Sequence, residues 1–143
     1  MTRTLVIIGG DAAGMSAAAQ ARRMASAEAL EIVAFERGVH TSYAACGLPY
    51  LLGGLVEAPA ELVARTPEEH RAKGIDVRIR HEVTAIDTLA ATVTVRDLDS
   101  GQDSVTHYDE LLVATGASGI TRHGQESMPK VFSNCARSPT PTT

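Results

Sequence analysis

A single cysteine, Cys46, stands in "TSYAACGLPY" with no second cysteine nearby; the other, Cys135, lies far downstream. A thiol so placed can pack as a small hydrophobe, ligate a metal or react. No His/Cys cluster has the spacing of a zinc site, so metal ligation has no support. Packing and reactivity stay open on the residues alone. A second candidate is "GGDAAG", formed by Gly9, Gly10, Asp11, Ala12, Ala13 and Gly14. A glycine-rich turn before a helix can hold phosphate oxygens on backbone N–H groups. Gly9 would make the tight turn, and Gly14 would let helix and strand approach closely. Asp11 replaces the middle glycine of the usual pattern, so its carboxylate must turn away from any pyrophosphate. The third candidate is Glu36, with Arg37 beside it. It follows the loop by the ~20 residues that separate a dinucleotide loop from its ribose-binding acid.

These residues need a scaffold, and the sequence around them describes one. "TLVIIGG" is a continuous apolar run ended by glycines, as expected of a strand buried on both faces of a parallel sheet. "AAGMSAAAQARRMAS" follows with good helix formers, and "EALEIVAFERG" gives a second buried strand ending at Glu36. Strand, glycine turn, helix and strand make a βαβ unit. After Cys46, "GLPYLLGGLV" reads as a short helix or turn. "ELVARTPEEHRAKGIDVRI" reads as strand, helix and strand, with Thr66 as N-cap, Pro67 first, Glu69 at N3 and Gly74 at the end. The Val/Ile/Thr alternation that follows, broken by "DTLAA" and "DSGQD", predicts an antiparallel meander. "ELLVATG" returns to a buried strand. The fold class is therefore α/β: a Rossmann-like, three-layer nucleotide-binding domain with an inserted β-meander.

Composition narrows the function. The chain of 143 residues carries a formal net charge of −4, which offers no basic surface for nucleic acid. No apolar run approaches the ~20 residues of a membrane span. The apolar start is too short for a signal peptide, so the two cysteines are expected reduced, in the cytoplasm.

Taken together, the glycine loop, Glu36, "SYAACGLPY", "RTPEEHRAKGIDV" and "YDELLVATGAS" resemble the flavin-dependent pyridine nucleotide–disulfide reductases. The likeness is nearest to their coenzyme A disulfide reductase and NADH oxidase branch, and runs from Thr4 to about Ser118. It implies FAD in the first loop, with Gly9 to Gly14 at its pyrophosphate and Glu36 at its adenosine ribose. Val83 would offer backbone contacts to adenine, while Ala114, Thr115 and Gly116 match a second flavin motif. By the same resemblance Cys46 is the redox cysteine beside the flavin. Relatives with an internal disulfide carry a partner five residues on, where this chain has Leu51. The second sulfur would then be coenzyme A, held as a mixed disulfide, or the partner would be a sulfenic acid oxygen. A thiolate is required, and a helix beginning in "GLPYLLGG" would favour it.

Ser16, Gln20, Arg23 and Ser42 match the branch's substrate residues, and the first three share one helix face by spacing. Arg23 would clamp a coenzyme A phosphate. Ala45 stands where some members have Asn. Ala12 stands where oxygen- and peroxide-reducing relatives have histidine, which favours coenzyme A disulfide as the acceptor; NADH oxidase or persulfide or polysulfide reductase chemistry of the same family is the alternative. None of His40, His70, His81, His107 and His123 lies in that loop, and none is assigned a catalytic role; His40 alone merits a test near Cys46. The family's NAD(P)H-binding and dimerisation domains have no counterpart here, and residues 119–143 read as a disordered or foreign tail. The expectation is a truncated or frame-shifted FAD-binding part, spanning residues 1–118, of an enzyme that is a homodimer when intact. A reading of another class is an inactive nucleotide-binding fragment.

Overall fold

A computed structural model describes residues 2–117. The boundary at Ser118, the tail 119–143, His123 and Cys135 lie outside the described residues. β1 (Arg3–Ile8), β2 (Leu30–Glu36), β3 (Asp76–Ile79) and β7 (Glu110–Val113) form one parallel sheet in the order β3-β2-β1-β7. Ile7 lies opposite Ala34 on one side and Leu112 on the other. The last strand among the described residues therefore sits beside the first, and both end at the glycine loop.

Continuous apolarity in β1 and β2 serves two faces. Ile7, Ile32 and Ala34 pack with Met15 and Ala18 of α1 (Ala12–Met24). The alternate residues Val6, Ile8, Val33 and Phe35 pack with Val93 and Val95. Those two valines belong to the central strand of an antiparallel meander, β4 (His81–Asp87), β5 (Thr92–Asp97) and β6 (Asp103–His107). Both valines have no exposed surface, and each such burial contributes roughly 1.5–3 kcal/mol. Helix, parallel sheet and meander thus make the three expected layers.

Between β2 and β3 the chain is less regular than its sequence suggests. "ELVAR" is not a strand. Pro59–Leu62 forms a 3-10 turn, and Val63 alone pairs, with Tyr43, through one isolated bridge. Pro59 lacks a backbone donor and fixes its φ, so pairing cannot begin there. α2 (Leu48–Leu52) has five residues and follows a 3-10 turn at Ala45–Gly47; Gly54, at φ 72°, lies just past its end. α3 (Pro67–Arg71) starts as expected: Thr66 Oγ1 accepts from Glu69 N, and Glu69 Oε2 accepts from Thr66 N. It ends at Arg71, ahead of Gly74 at φ 76°. Among the described residues no helix is long and apolar enough to cross a membrane.

Candidate active site

The glycine loop is shaped by contact with its neighbours. Gly9 has φ 109°, and a Cβ there would meet the Ala114 carbonyl oxygen at 2.2 Å. A Cβ on Gly14 would meet the Gly9 carbonyl oxygen at 1.9 Å. Both positions therefore admit only glycine, and they bring the start of α1 against the end of β1. Asp11, the N-cap residue, does not cap the helix with its side chain. Its Oδ1 instead accepts from Tyr43 N at 2.8 Å. The carboxylate turns away as the sequence requires, and the first-turn N–H groups of α1 have no side-chain partner.

Two clefts flank this loop. The first, about 300 Å³, is lined by Gly9, Glu36, Arg37, Val83, Thr115 and Gly116. Sequence reasoning nominated all six. It missed Ile8, Phe35, His81 and Glu82, which complete the same walls. The ring of His81 stacks on Phe35 with centroids 6.3 Å apart; no local pattern marks that pairing, because it joins β2 to the meander. Glu36 closes the inner end. Its Oε2 accepts from Gly10 N at 2.7 Å and its Oε1 from Gly38 N at 2.6 Å. Each carboxylate oxygen keeps a second lone pair, enough to accept a ribose hydroxyl. Gly10, Ala13 and Ala114 belong to the loop and its support rather than to the cleft lining; Ala114 N donates to Ile8 O at 2.8 Å.

FAD fits this side. The uncapped start of a 13-residue helix suits a pyrophosphate. The Glu36 carboxylate suits a ribose, and the cleft beyond it is walled by Val83 and Phe35.

The second cleft, about 500 Å³, lies on the α1 side and includes Asp11, Ala12, Ser16, Arg23 and Ser42 in its lining. Three of the four substrate residues expected from sequence therefore meet here. The fourth, Gln20, is not in the lining, but its Oε1 accepts from Arg23 Nε at 3.1 Å and orients that guanidinium. The opposite wall holds Tyr43, Arg65 and His70, none of which had been singled out for substrate. Residues 41–44 are fastened into place there. Ser42 N donates to Gly10 O at 3.1 Å, Ala64 N donates to Ser42 O at 3.0 Å, and Thr41 Oγ1 donates to Arg65 O at 3.1 Å.

Cys46 follows this segment, exposed, in the 3-10 turn before α2. Neither cleft includes it in its lining, although Ala44, two residues earlier, lines the second. Its thiol makes no disulfide among the described residues. His40 stacks with Tyr43, ring centroids 6.1 Å apart, and lines neither cleft. Burial and the nearby Arg65 and Lys73 charges hold His70 below the ordinary imidazole value, with Glu69 opposing. Among the described residues no group of three or more His, Cys, Asp or Glu is placed to hold a metal ion.

Known proteins resemble this chain in sequence and fold. The family model described as pyridine nucleotide-disulphide oxidoreductase matches residues 3–137. Coenzyme A disulfide reductase of Staphylococcus aureus is 36% identical over 115 residues, covering 80% of this chain and 26% of that one. NADH oxidase of Mycoplasma pneumoniae is 32% identical over 115 residues, covering 80% of this chain and 24% of the other. The solved structure of reduced CoADR-RHD from Bacillus anthracis superposes with a TM-score of 0.81 at 34% identity, over 86% of this chain and 22% of that chain. This chain spans about a quarter of the length of those curated relatives.

Proposed function

The chain belongs to the pyridine nucleotide-disulphide oxidoreductase family of FAD- and NAD(P)H-dependent enzymes, and from that premise we propose that it is the FAD-binding part of a coenzyme A disulfide reductase. The observation that carries the reading is the pair of clefts sharing one glycine loop, one fitted to a dinucleotide and the other lined by Ser16, Arg23 and Ser42. At the glycine loop, beyond the lining of the first cleft, the N–H groups opening α1 hold the pyrophosphate, while the cleft itself takes the adenosine. Glu36 accepts from the ribose, and Val83 borders the adenine. In the second, Arg23 clamps a phosphate of coenzyme A while the Ser16 and Ser42 hydroxyls hydrogen-bond it.

Cys46 is the nucleophile. Its thiolate attacks one sulfur of coenzyme A disulfide, a Cys46–coenzyme A disulfide forms, and the other coenzyme A leaves as thiolate. Bound in the first cleft, the flavin would supply the two electrons, from NAD(P)H, that return Cys46 and the second coenzyme A to thiols. Cys46 has no cysteine partner five residues on, which supports a mixed rather than an internal disulfide. Such a thiol needs the reducing cytoplasm, and the complete enzyme is a homodimer.

A second reading, NADH oxidase, is favoured by the Mycoplasma relative. Ala12 in the glycine loop speaks for the first. The test is direct. Coenzyme A disulfide added to the reduced chain should give one coenzyme A adduct, located by peptide mass at Cys46 and absent from Cys46→Ser. Modification of Cys135 at the same rate, or no adduct, would defeat the coenzyme A reading.

A further inference from the structure

His70 is 2% exposed, yet it lines the second cleft. Its Nε2 is 3.0 Å from Ser42 Oγ, and its Nδ1 is buried with no partner among the described residues. A buried N–H without an acceptor is a costlier orphan than a bare lone pair. The ring proton is therefore assigned to Nε2, which donates to Ser42 Oγ and leaves the Ser42 O–H free to donate elsewhere. Ser42 itself is held at φ 51°, a left-handed conformation unusual for serine. Backbone hydrogen bonds on both sides, to Gly10 and from Ala64, keep it there. A polar side chain fixed in a strained backbone position by a buried imidazole is an arrangement found at binding sites. Arg65, in the same wall, makes no ion pair among the described residues. Asp11, the carboxylate in the lining, is engaged by Tyr43 N.

We propose that His70 is a positioning residue for the substrate: it fixes the Ser42 hydroxyl as a donor into the cleft, where Arg65 and Arg23 face a phosphorylated ligand from two different elements. The inference rests on the second cleft being the coenzyme A site. It adds a wall on the α3 side to the one expected on α1, and gives the bound anion a second guanidinium.

The probe is coenzyme A, titrated calorimetrically into the FAD-loaded full chain, with Cys46→Ser throughout so that no covalent capture interferes. His70→Phe and Ser42→Ala should each weaken coenzyme A about tenfold, the effect of one hydrogen bond to a charged ligand. The double variant should lose little more than either single one, because the two act through one hydroxyl. His70→Gln, which keeps an N–H near the Nε2 position, should recover most of the affinity. Arg65→Gln should weaken binding several-fold and flatten its salt dependence. FAD affinity should stay unchanged in all of them. Should His70→Phe lose its fold, His70→Asn, polar but too short to reach Ser42, makes the same comparison. Wild-type affinity in His70→Phe (or in His70→Asn where that replaces it), or single losses that multiply in the double variant, would overturn the proposal and leave the coenzyme A reading standing. Failure of the unsubstituted His70 chain to bind coenzyme A, with FAD bound normally, would overturn both.

Discussion

The two sides of the glycine loop are built from different materials. On the cofactor side the walls are strand ends: β1, β2, β4 and β7 deliver Gly9, Glu36, Val83 and Thr115 through sheet register and a well-packed aliphatic core. On the substrate side only α1 is a long regular element. The facing wall is irregular chain, residues 41–44 and 62–65, held by individual hydrogen bonds and one isolated bridge. A wall made by register is insensitive to most side chains but intolerant of a misplaced Cβ. A wall made by single hydrogen bonds is adjustable residue by residue. Under the proposed function, the nucleotide would be gripped by what the fold must do anyway, and the substrate by what these particular side chains add.

Three substitutions or conditions separate the two sides. The largest effect is expected from Gly14→Ala. Its Cβ would sit 1.9 Å from the Gly9 carbonyl oxygen, so α1 must move off β1. About 3 kcal/mol of stability should go, with FAD uptake. Urea unfolding and flavin absorbance measure both, and a variant that unfolds and binds FAD like the parent would refute the register argument. Glu36→Gln comes next. An amide offers one acceptor oxygen where Gly10 N and Gly38 N now use two. The expected cost is about 1–3 kcal/mol, with weaker FAD and unchanged coenzyme A binding.

How much of this is readable from the residues follows the same division. The strand–glycine–helix–strand order and the acid at Glu36 bring Gly9, Glu36 and Arg37 to the first cleft, since continuous apolar strands and sharp glycine turns are local signals, whereas Val83, Thr115 and Gly116 are legible only through the family resemblance. The face of α1 carrying Ser16 and Arg23 is legible too, because helical spacing is periodic. His70 and Arg65 are not. Their role depends on how "ELVAR" folds. There Pro59 prevents the expected strand and leaves a 3-10 turn, so the wall exists only in three dimensions. His81 escapes for the same reason, since it meets Phe35 across two sheets.

The smallest effect is a slope in acid, and it belongs to the substrate side. His70 is held neutral below the ordinary imidazole value of 6.5 by burial and by Arg65 and Lys73, against Glu69; Arg23 and Asp11 line the same cleft. The unfolded chain therefore binds a proton at pH values where the folded chain does not. The stability this burial allows is fully present above pH 6.5. It is lost progressively as the pH falls from there toward the depressed value of the folded state. His70→Phe should remove that part of the slope in stability against pH; identical slopes would show that His70 is not held neutral.

The most direct measurement is a crystal structure of the chain with FAD and coenzyme A bound together. The adenosine of FAD should lie between Glu36 and Val83, coenzyme A phosphate between Arg23 and Arg65, and the Cys46 sulfur in contact with the isoalloxazine ring. A nucleotide seated in the Ser16–Arg23 cleft in place of coenzyme A, or a Cys46 sulfur turned to solvent away from the ring, would contradict it.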